Sequence, residues 1–179
     1  KRIILTAVYF GTWPKWFPAF LASCATNHDV DWLIITDCNT EGLGYPNIRF
    51  MRMGMDDFNR LASKSMGVPV RKQPYTHDDL RPAYGHFLGE FFSKYDFWGH
   101  VDVDVVWGRI RSFVTDELLD GCDILSSRQN AFAGHFTVYR NTEKVNTLYR
   151  RHQDWQTAMS DAGFHHFNEQ GMGVFFKYC

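Results

Sequence analysis

Three stretches of the chain are apolar over nearly their whole length, and they restrict its fold more than any other feature. They are rich in residues that favour β-strands, and they are Arg2–Phe10, Asp31–Thr36 and the first part of Tyr95–Gly108, where Phe97, Trp98 and Val101 are apolar. A strand without a polar side has to be covered on both faces, as in the parallel sheets of α/β proteins. Each stretch therefore predicts a buried strand of such a sheet.

The segments between these strands predict the layers that cover them. Shorter strands are predicted at Ile48–Met53, Asp123–Ser126 and His135–Arg140. Helices are predicted at Trp16–Ala25, Asp56–Met66, Asp79–Phe92, Thr115–Leu119 and Thr142–Met159. The polar stretch Gly67–Asp79 contains two prolines and predicts a mobile loop. Strands that alternate with helices predict an α/β fold with a largely parallel sheet.

Two carboxylates follow the Phe97–Val101 strand. Asp102 and Asp104 are one residue apart, and in an extended backbone such residues point to the same face. Like charges held that close repel each other, and a divalent cation relieves the repulsion. Oxygen ligands suit Mg²⁺ or Mn²⁺, particularly where phosphate oxygens complete the coordination. The pair therefore predicts a metal site, and the alternative is a chance pair of aspartates on a solvated turn.

A third carboxylate lies at the same end of the predicted sheet. Asp37 follows the strand Asp31–Thr36 as Asp102 and Asp104 follow theirs. Ligands of open α/β sheets bind in the crevice beyond the carboxyl ends of the strands. We therefore expect the three carboxylates to face one crevice. The alternative for Asp37 is a turn residue, since Asp is common where a strand ends in a turn.

Four segments carry a wider pattern, in which a strand ends in Thr-Asp and a later strand runs into Asp-x-Asp. They are Trp32–Cys38, Asp79–Gly85, Tyr95–Asp104 and Gly134–Asn141. Together they resemble the GT-A-fold glycosyltransferases, and most closely a bacterial group of glycosyltransferase-like proteins associated with surface polysaccharide genes. The resemblance implies a GT-A-like three-layer sandwich, with a mainly parallel sheet between layers of helices, and a single nucleotide-sugar-binding domain over residues 1–179.

The resemblance implies that the protein uses a divalent cation, Mn²⁺ or Mg²⁺. Asp104 would be a direct ligand of the metal, and Asp102 would contact the metal or the ribose. Many GT-A enzymes take a further metal ligand, often His, from late in the chain. Here the candidates are His165 and His166, and the alternative is a ligand beyond Cys179.

The resemblance also implies a site for a nucleotide-sugar donor beside one for a saccharide acceptor. Ala7, Tyr9 and Asp37 would hold the nucleobase and the ribose. Arg81 would approach the diphosphate or the donor sugar, because a guanidinium suits phosphate, and the alternative is a surface arginine at a helix start. His135 is counted with this site, although a lone His on an apolar strand is more often structural.

Glycosyl transfer in an inverting enzyme needs a base for the acceptor hydroxyl. Glu169 is our candidate, because it follows the polar His-His-Phe-Asn stretch after the last predicted helix. Asp104 joins it as a catalytic residue through the metal, which stabilises the leaving diphosphate. The alternative for Glu169 is an exposed surface glutamate, as isolated carboxylates usually are.

Two other functions stay open at this point. Phosphohydrolases of the haloacid dehalogenase type also carry Asp-x-Asp after a strand, but on their first strand and with a later Gly-Asp pair. Here the motif comes late, and no Gly-Asp pair follows it. A non-catalytic sugar- or nucleotide-binding module on the same fold is the second alternative. An absent third metal ligand or an exposed Glu169 would favour that module.

Composition bears on location and partners. The net charge of −1 shows no electrostatic footprint for nucleic acid, and no segment is long and apolar enough to span a membrane. No two of the four cysteines have the spacing of a metal site, so we expect reduced, partly buried thiols of a cytoplasmic protein at Cys24, Cys38, Cys122 and Cys179. The inner face of the membrane is the other expected location. The start at Lys1 and the apolar end predict a fragment of a longer chain.

Overall fold

A computed structural model of the chain describes residues 1–128 and 131–175. Its strands are β1 (Ile3–Tyr9), β2 (Asp31–Thr36), β3 (Ile48–Arg52), β4 (Phe97–Val101), β5 (Ile124–Ser126) and β6 (Phe136–Arg140). They form one sheet in the order β3-β2-β1-β4-β6-β5. All the predicted strands are present, and their bounds move by no more than about one residue, except that the extended backbone expected to continue to Asp104 ends with β4 at Val101.

The predicted buried strands lie side by side in this sheet. β1 pairs in parallel with β2 and with β4, and β2 pairs in parallel with β3. β6 runs antiparallel to both β4 and β5. The prediction of an α/β fold with a mainly parallel sheet is therefore confirmed, with antiparallel pairing confined to one side.

Helices lie on both sides of the sheet. They are α1 (Phe17–Thr26), α2 (Met55–Met66), α3 (Tyr84–Phe87), α4 (Gly89–Phe92), α5 (Asp116–Asp120), α6 (Glu143–Asn146) and α7 (Trp155–Ser160). Thr115 begins α5 by accepting a hydrogen bond from the Leu118 N–H, as a cap residue does. Short 3₁₀ helices occupy Thr76–Ala83, Ile110–Ser112 and Leu148–Arg151, and one turn of π-helix spans Phe167–Gly171.

Each face of the sheet has its own hydrophobic core, because successive residues of a strand point to opposite faces. Leu33 and Ile35 of β2 belong to the core that also contains residues of α2 and α3. Trp32 and Ile34 belong to the other core, which contains residues of α1 and α5. The four side chains are almost wholly buried. This is the predicted three-layer arrangement.

The helix predicted over Asp79–Phe92 is wrong as one element. The 3₁₀ helix Thr76–Ala83 takes its place at the start, and α3 and α4 are single turns. Pro82 lies inside the 3₁₀ helix and has no N–H to donate to a longer helical ladder. Close packing fixes the next turn, because a Cβ at Gly85 would lie 2.5 Å from Nε1 of Trp98.

The helix predicted from Thr142 to Met159 is also broken. Thr142 caps its first turn as predicted, by accepting a hydrogen bond from the Val145 N–H. α6 then ends at Thr147, whose hydroxyl donates to the Glu143 carbonyl at 2.7 Å. Such side-chain bonds to the preceding turn compete with a continuous helix.

The stretch predicted to be a polar mobile loop is anchored in the core. Lys72 has no exposed surface, and its Nζ lies 2.8 Å from Oδ2 of Asp79, which is equally buried. Nζ also donates to the Gly163 carbonyl at 2.8 Å. Charged atoms without water need such partners, so this ion pair ties the stretch to the end of the chain.

Cys24, Cys38 and Cys122 are free thiols, and Cys24 and Cys38 are buried as predicted for reduced cysteines. Burial raises the pKa of the Cys38 thiol. Cys179 lies outside the described residues. Within residues 1–128 and 131–175, no helix is long and apolar enough to cross a membrane.

Candidate functional site

The carboxyl ends of β1 and β4 mark the place where the strand order reverses. Starting from β1, the chain adds β2 and β3 on one side and β4 on the other. Open α/β sheets bind their ligands in the crevice at such a switch point. Tyr9 ends β1 there, and Asp102 follows β4 directly.

Arg81 holds Asp102 in place. Its Nη2 lies 2.5 Å from Oδ1 of Asp102 and 2.7 Å from Oδ1 of Asp78. Its Nη1 donates to the Gly134 carbonyl at 2.5 Å. Arg81 is only 7% exposed, so the guanidinium bonds to protein groups on several sides. In this structure Arg81 bonds to Asp78, Asp102 and the Gly134 carbonyl, and the contact with a diphosphate or donor sugar that the resemblance implied stays a prediction.

Two largely buried carboxyl groups, Asp78 and Asp102, share the single positive charge of Arg81. Burial raises the pKa of Asp78 and of Asp102, although the Arg81 charge acts in the opposite direction on both. The charge of Asp104 raises the pKa of Asp102 further. For Arg81, burial is outweighed by Asp78 and Asp102, so its pKa is raised. One guanidinium thus faces more than one carboxylate, and a further cation would stabilise the ionised forms.

Asp104 does not share the surroundings of Asp102. The chain turns at residues 103 and 104, so the extended backbone assumed from the sequence ends at Asp102. Asp104 is exposed and lines a cavity of about 300 Å³ together with Phe20, which belongs to the core on the α1 side. Asp102, by contrast, turns to Arg81. The extended backbone predicted through Asp104 is therefore wrong, whereas the charges of the two carboxylates do interact and their convergence on one cation stays a prediction.

Glu169 joins the cluster from the end of the chain. Its Oε1 accepts a hydrogen bond from the Gly134 N–H at 2.9 Å, and Nη1 of Arg128 lies 3.4 Å from the same oxygen. Because the Gly134 carbonyl accepts from Arg81, one residue connects Glu169 with the Arg81–Asp102 pair. A Cβ at position 134 would lie 2.9 Å from this oxygen. Glycine therefore allows the carboxylate to approach the backbone.

The buried Lys72–Asp79 pair brings Glu169 to this place. Asp79 accepts hydrogen bonds from the His165 N–H through Oδ2 and from the Phe167 N–H through Oδ1, both at 2.8 Å. These bonds fix the turn that begins the π-helix carrying Glu169. Sequence reasoning missed both Asp79 and Lys72, since partners so far apart along the chain leave no periodic signal.

Asp78 was also missed. It precedes Arg81 by three residues, a spacing at which helical side chains meet, and this was the available signal. His77 beside it is buried and lies 3.3 Å from the Val8 carbonyl through Nε2. Burial, with the Arg81 charge adding to it, lowers the pKa of His77 to about 4.

Tyr9 and Asp37 lie at the expected edge of the sheet. The Tyr9 ring stacks on Trp13 with centroids 5.6 Å apart, and its hydroxyl donates to the Thr12 carbonyl. Asp37 accepts from the Gly11 N–H at 2.7 Å, as a residue of a strand-terminal turn does. The two strands that precede Asp37 and Asp102 are separated by β1, a distance of about 10 Å across the sheet.

Ala7 does not reach this edge. Its side chain has no exposed surface and belongs to the core on the α1 side. The side chain of Ala7 therefore faces the core, and its part in holding a nucleotide stays a prediction.

The histidines are held by other side chains. His135 Nε2 lies 2.8 Å from the Ser127 hydroxyl, while its carbonyl accepts from the Asp102 N–H at 3.4 Å. His165 Nε2 lies 2.7 Å from Asp161, and the His166 ring packs on Phe164. Neither His165 nor His166 completes a cluster with the aspartates.

Among the described residues, no three His, Cys, Asp or Glu side chains are grouped as a metal site. The oxygens after β4 still suit Mg²⁺ or Mn²⁺, because Arg81 engages only Oδ1 of Asp102 and Asp104 is exposed. Magnesium is commonly bound by one or two carboxylates together with the phosphates of a substrate. The carboxylate oxygens of Asp102 and Asp104 therefore suit a cation that a diphosphate also binds. They do not surround a cation by themselves.

Comparisons with known proteins bear on the fold. The sequence profile of one protein family, described as a family of unknown function (DUF6625), matches residues 5–179. No curated protein matches the chain. Among solved structures, galactosyltransferase LgtC in complex with donor and acceptor sugar analogues is similar, with a TM-score of 0.51 and 13% identity, over 97% of this chain and 70% of that one. An active-site mutant of LgtC has a TM-score of 0.49 at 13% identity. The first likeness confirms the predicted GT-A fold.

Proposed function

Because the chain belongs to this family of unknown function, its activity has to come from its site, and we propose a metal-dependent glycosyltransferase. It would move a sugar from a nucleotide-diphosphate donor to a saccharide acceptor. The observation that carries this proposal is the position of Asp102 and Asp104 at the switch point of a GT-A sheet, with carboxylate oxygens free to bind a cation. The crystal structure of LgtC, whose fold is similar, holds donor and acceptor sugar analogues.

The cation would be held by Oδ2 of Asp102 and by Asp104. When bound, it would act as a Lewis acid that stabilises the negative charge on the leaving nucleoside diphosphate. Arg81 contributes by keeping Oδ1 of Asp102 in a fixed direction, so that the second oxygen turns to the crevice. Without this bond a flexible carboxylate would lose conformational entropy on binding the cation.

The donor would lie across the ends of β1 and β2. The Tyr9–Trp13 stack supplies an aromatic surface for a nucleobase, and Asp37 supplies an acceptor for a ribose hydroxyl through the oxygen that Gly11 does not use. Tyr9 is one strand spacing from β4, about 5 Å, and Asp37 is two, about 10 Å, and this range suits a nucleoside joined to a diphosphate. His135 is placed on the far side of Asp102, nearer the acceptor than the nucleobase.

Glu169 would take the proton of the acceptor hydroxyl. One of its oxygens is engaged by the Gly134 N–H, and the side chain is 31% exposed, so the other oxygen can meet a substrate. A base of this kind has to lie within hydrogen-bond reach of the hydroxyl that it deprotonates. The anchoring of its turn by Asp79 provides that precision.

A thermal-shift experiment tests donor and metal binding. A ligand that binds only the folded state raises the unfolding midpoint, so one nucleotide diphosphate or nucleotide sugar should raise it with Mn²⁺ and not with a chelator. Asp104→Asn should abolish this rise. Asp29→Asn is the matched control, because Asp29 is an exposed aspartate before β2, at the opposite edge of the sheet. No shift with any nucleotide in the folded protein would refute the proposal.

A non-catalytic binding module on the same fold is the second candidate. Two observations favour it: the described residues form no three-ligand metal cluster, and Glu169 is partly exposed. The turnover of the donor separates the two functions. Release of nucleoside diphosphate that depends on an acceptor and is lost in Glu169→Gln supports the enzyme, whereas tight donor binding without any release supports the module.

The wider setting of the activity is part of the same proposal. We place the enzyme in the cytoplasm or at the inner face of the membrane, and we assign it to the synthesis of surface polysaccharide. Residues 1–179 would form one nucleotide-sugar-binding domain. The assay of nucleoside diphosphate release also tests the hexosyltransferase type, since only nucleotide hexoses should then be cleaved.

A further inference from the structure

A cation already lies between two carboxylates of the site, and it is a guanidinium. Nη2 of Arg81 is 2.7 Å from Oδ1 of Asp78 and 2.5 Å from Oδ1 of Asp102. Divalent ions of the size of Mg²⁺ bind oxygen at about 2.1 Å. A small approach of the two oxygens would therefore let one divalent ion take the place of this nitrogen.

A buried neutral oxygen lies near the guanidinium. Tyr84 is 1% exposed, and its hydroxyl has no hydrogen-bond partner among the described residues. Burial raises the pKa of this hydroxyl, the Arg81 guanidinium opposes the rise through its charge and a side-chain interaction, and the charges of Asp78 and Asp102 add to it, so the hydroxyl lies near the guanidinium. A buried hydroxyl without a partner is costly, and it is satisfied where a water molecule or a hydrated ion supplies the hydrogen bond.

We infer that Arg81 is an internal counter-ion that occupies a second cation position, lined by Asp78, Asp102 and Tyr84. While the guanidinium is in place, its charge opposes a divalent ion at Asp102 and Asp104. A nucleotide diphosphate adds negative charge and oxygen ligands, and it outweighs this opposition. The inference rests on the proposed function, because Asp102 serves both cations, and it makes the capture of the metal depend on the donor.

The geometry explains why arginine is needed for this role. A guanidinium is planar and forked, so it reaches Asp78 and Asp102 with one nitrogen and the Gly134 carbonyl with the other. A divalent ion at the same position would meet the carboxylates and would leave the Gly134 carbonyl unbonded. Arg81 therefore keeps the site closed to a lone ion and keeps Gly134, which orients Glu169, in place.

Titration with Mn²⁺ in the absence of nucleotide tests the inference, with the free ion followed by electron paramagnetic resonance. The wild-type chain should bind Mn²⁺ weakly. Arg81→Met removes a positive charge about 5 Å from the ion, and affinity should rise about tenfold or more even at the dielectric constant of water. Arg81→Lys retains the charge and should stay near the wild-type affinity.

Two further variants and one measurement complete the design. Asp78→Asn in the Arg81→Met background should remove the gain, because Asp78 is then the lost ligand. Asp29→Asn in the same background should leave it unchanged. Arg81→Met leaves Asp78 and Asp102 without their counter-ion and should lower the unfolding midpoint. Saturating Mn²⁺ should raise the midpoint of this variant by more than it raises the midpoint of the wild type. A variant that stays unfolded in saturating Mn²⁺ contradicts the inference.

Equal Mn²⁺ affinity in the wild type and in folded Arg81→Met would overturn the inference. The proposed function is judged by a different result, the binding of Mn²⁺ together with nucleotide diphosphate to the wild type and its loss in Asp104→Asn. The inference fails alone when Mn²⁺ and nucleotide diphosphate bind together to the wild type and this binding is lost in Asp104→Asn, but folded Arg81→Met binds Mn²⁺ no more tightly than the wild type. The proposed function fails alone when Arg81→Met binds Mn²⁺ tightly but no nucleotide promotes metal binding in the wild type.

Discussion

Removal of Asp79 should destabilise the protein more than removal of its ion-pair partner Lys72. Asp79 accepts from the Lys72 ammonium and from the backbone N–H groups of His165 and Phe167. Lys72 has two described partners, the Asp79 carboxylate and the Gly163 carbonyl. The two side chains have no exposed surface, so water cannot replace the lost bonds.

The magnitudes follow from what each substitution leaves unpaired. Lys72→Met leaves the Asp79 carboxylate with its two backbone donors, and we expect it to cost about 3 kcal/mol, the low end for one half of a buried pair. Asp79→Ala strands the ammonium and also two backbone N–H groups, each worth about 1 kcal/mol or more. The expected cost of Asp79→Ala is therefore about 5 kcal/mol or more.

Urea unfolding measures both free energies, and hydrogen exchange locates the effect. The amides of His165 and Phe167 should exchange much faster in Asp79→Ala and should keep most of their protection in Lys72→Met. The double variant Lys72→Met/Asp79→Ala contains no unpaired ammonium, so it should be more stable than Asp79→Ala. It should still lose the free energy of the two hydrogen bonds from the His165 and Phe167 amides. If Lys72→Met proves as costly as Asp79→Ala, or if both amides stay protected in Asp79→Ala, the anchoring role of Asp79 is refuted.

Three further predictions concern single positions. His77 has a pKa of about 4 in the folded protein, whereas an unfolded histidine has one of about 6.5. As the pH falls from about 6.5 to 4, the unfolded chain therefore binds a proton that the folded chain does not, and the free energy of unfolding should fall by about 3 kcal/mol. In acid unfolding, His77→Gln should not show this loss of about 3 kcal/mol. Gly134→Ala places a Cβ 2.9 Å from Oε1 of Glu169 and should reduce turnover while thermal shifts with the donor persist. Gly85→Ala brings a Cβ to 2.5 Å from Nε1 of Trp98 and should cost about 1–3 kcal/mol in urea unfolding, and an unchanged midpoint would contradict this packing.

The positions of the strands along the chain and the burial of their side chains followed from the sequence, because both depend on local pattern. The strand Asp31–Thr36 was predicted with the bounds that the structure shows, since a run of apolar β-formers ends at Asp37. The position of Asp102 at the end of β4 followed for the same reason. The long predicted helices failed where tertiary contacts outweighed periodicity, as at Gly85 against Trp98.

The partners within the site were decided by the tertiary structure alone. Oδ1 of Asp102 meets Arg81 across 21 residues, and Oε1 of Glu169 meets Gly134 across 35. Contacts of this kind depend on where the sheet places two distant segments, and they leave no period in the chain. A single sequence therefore shows which carboxylates stand at strand ends, whereas only the folded chain shows that a guanidinium engages Asp102 and that the chain turns before Asp104.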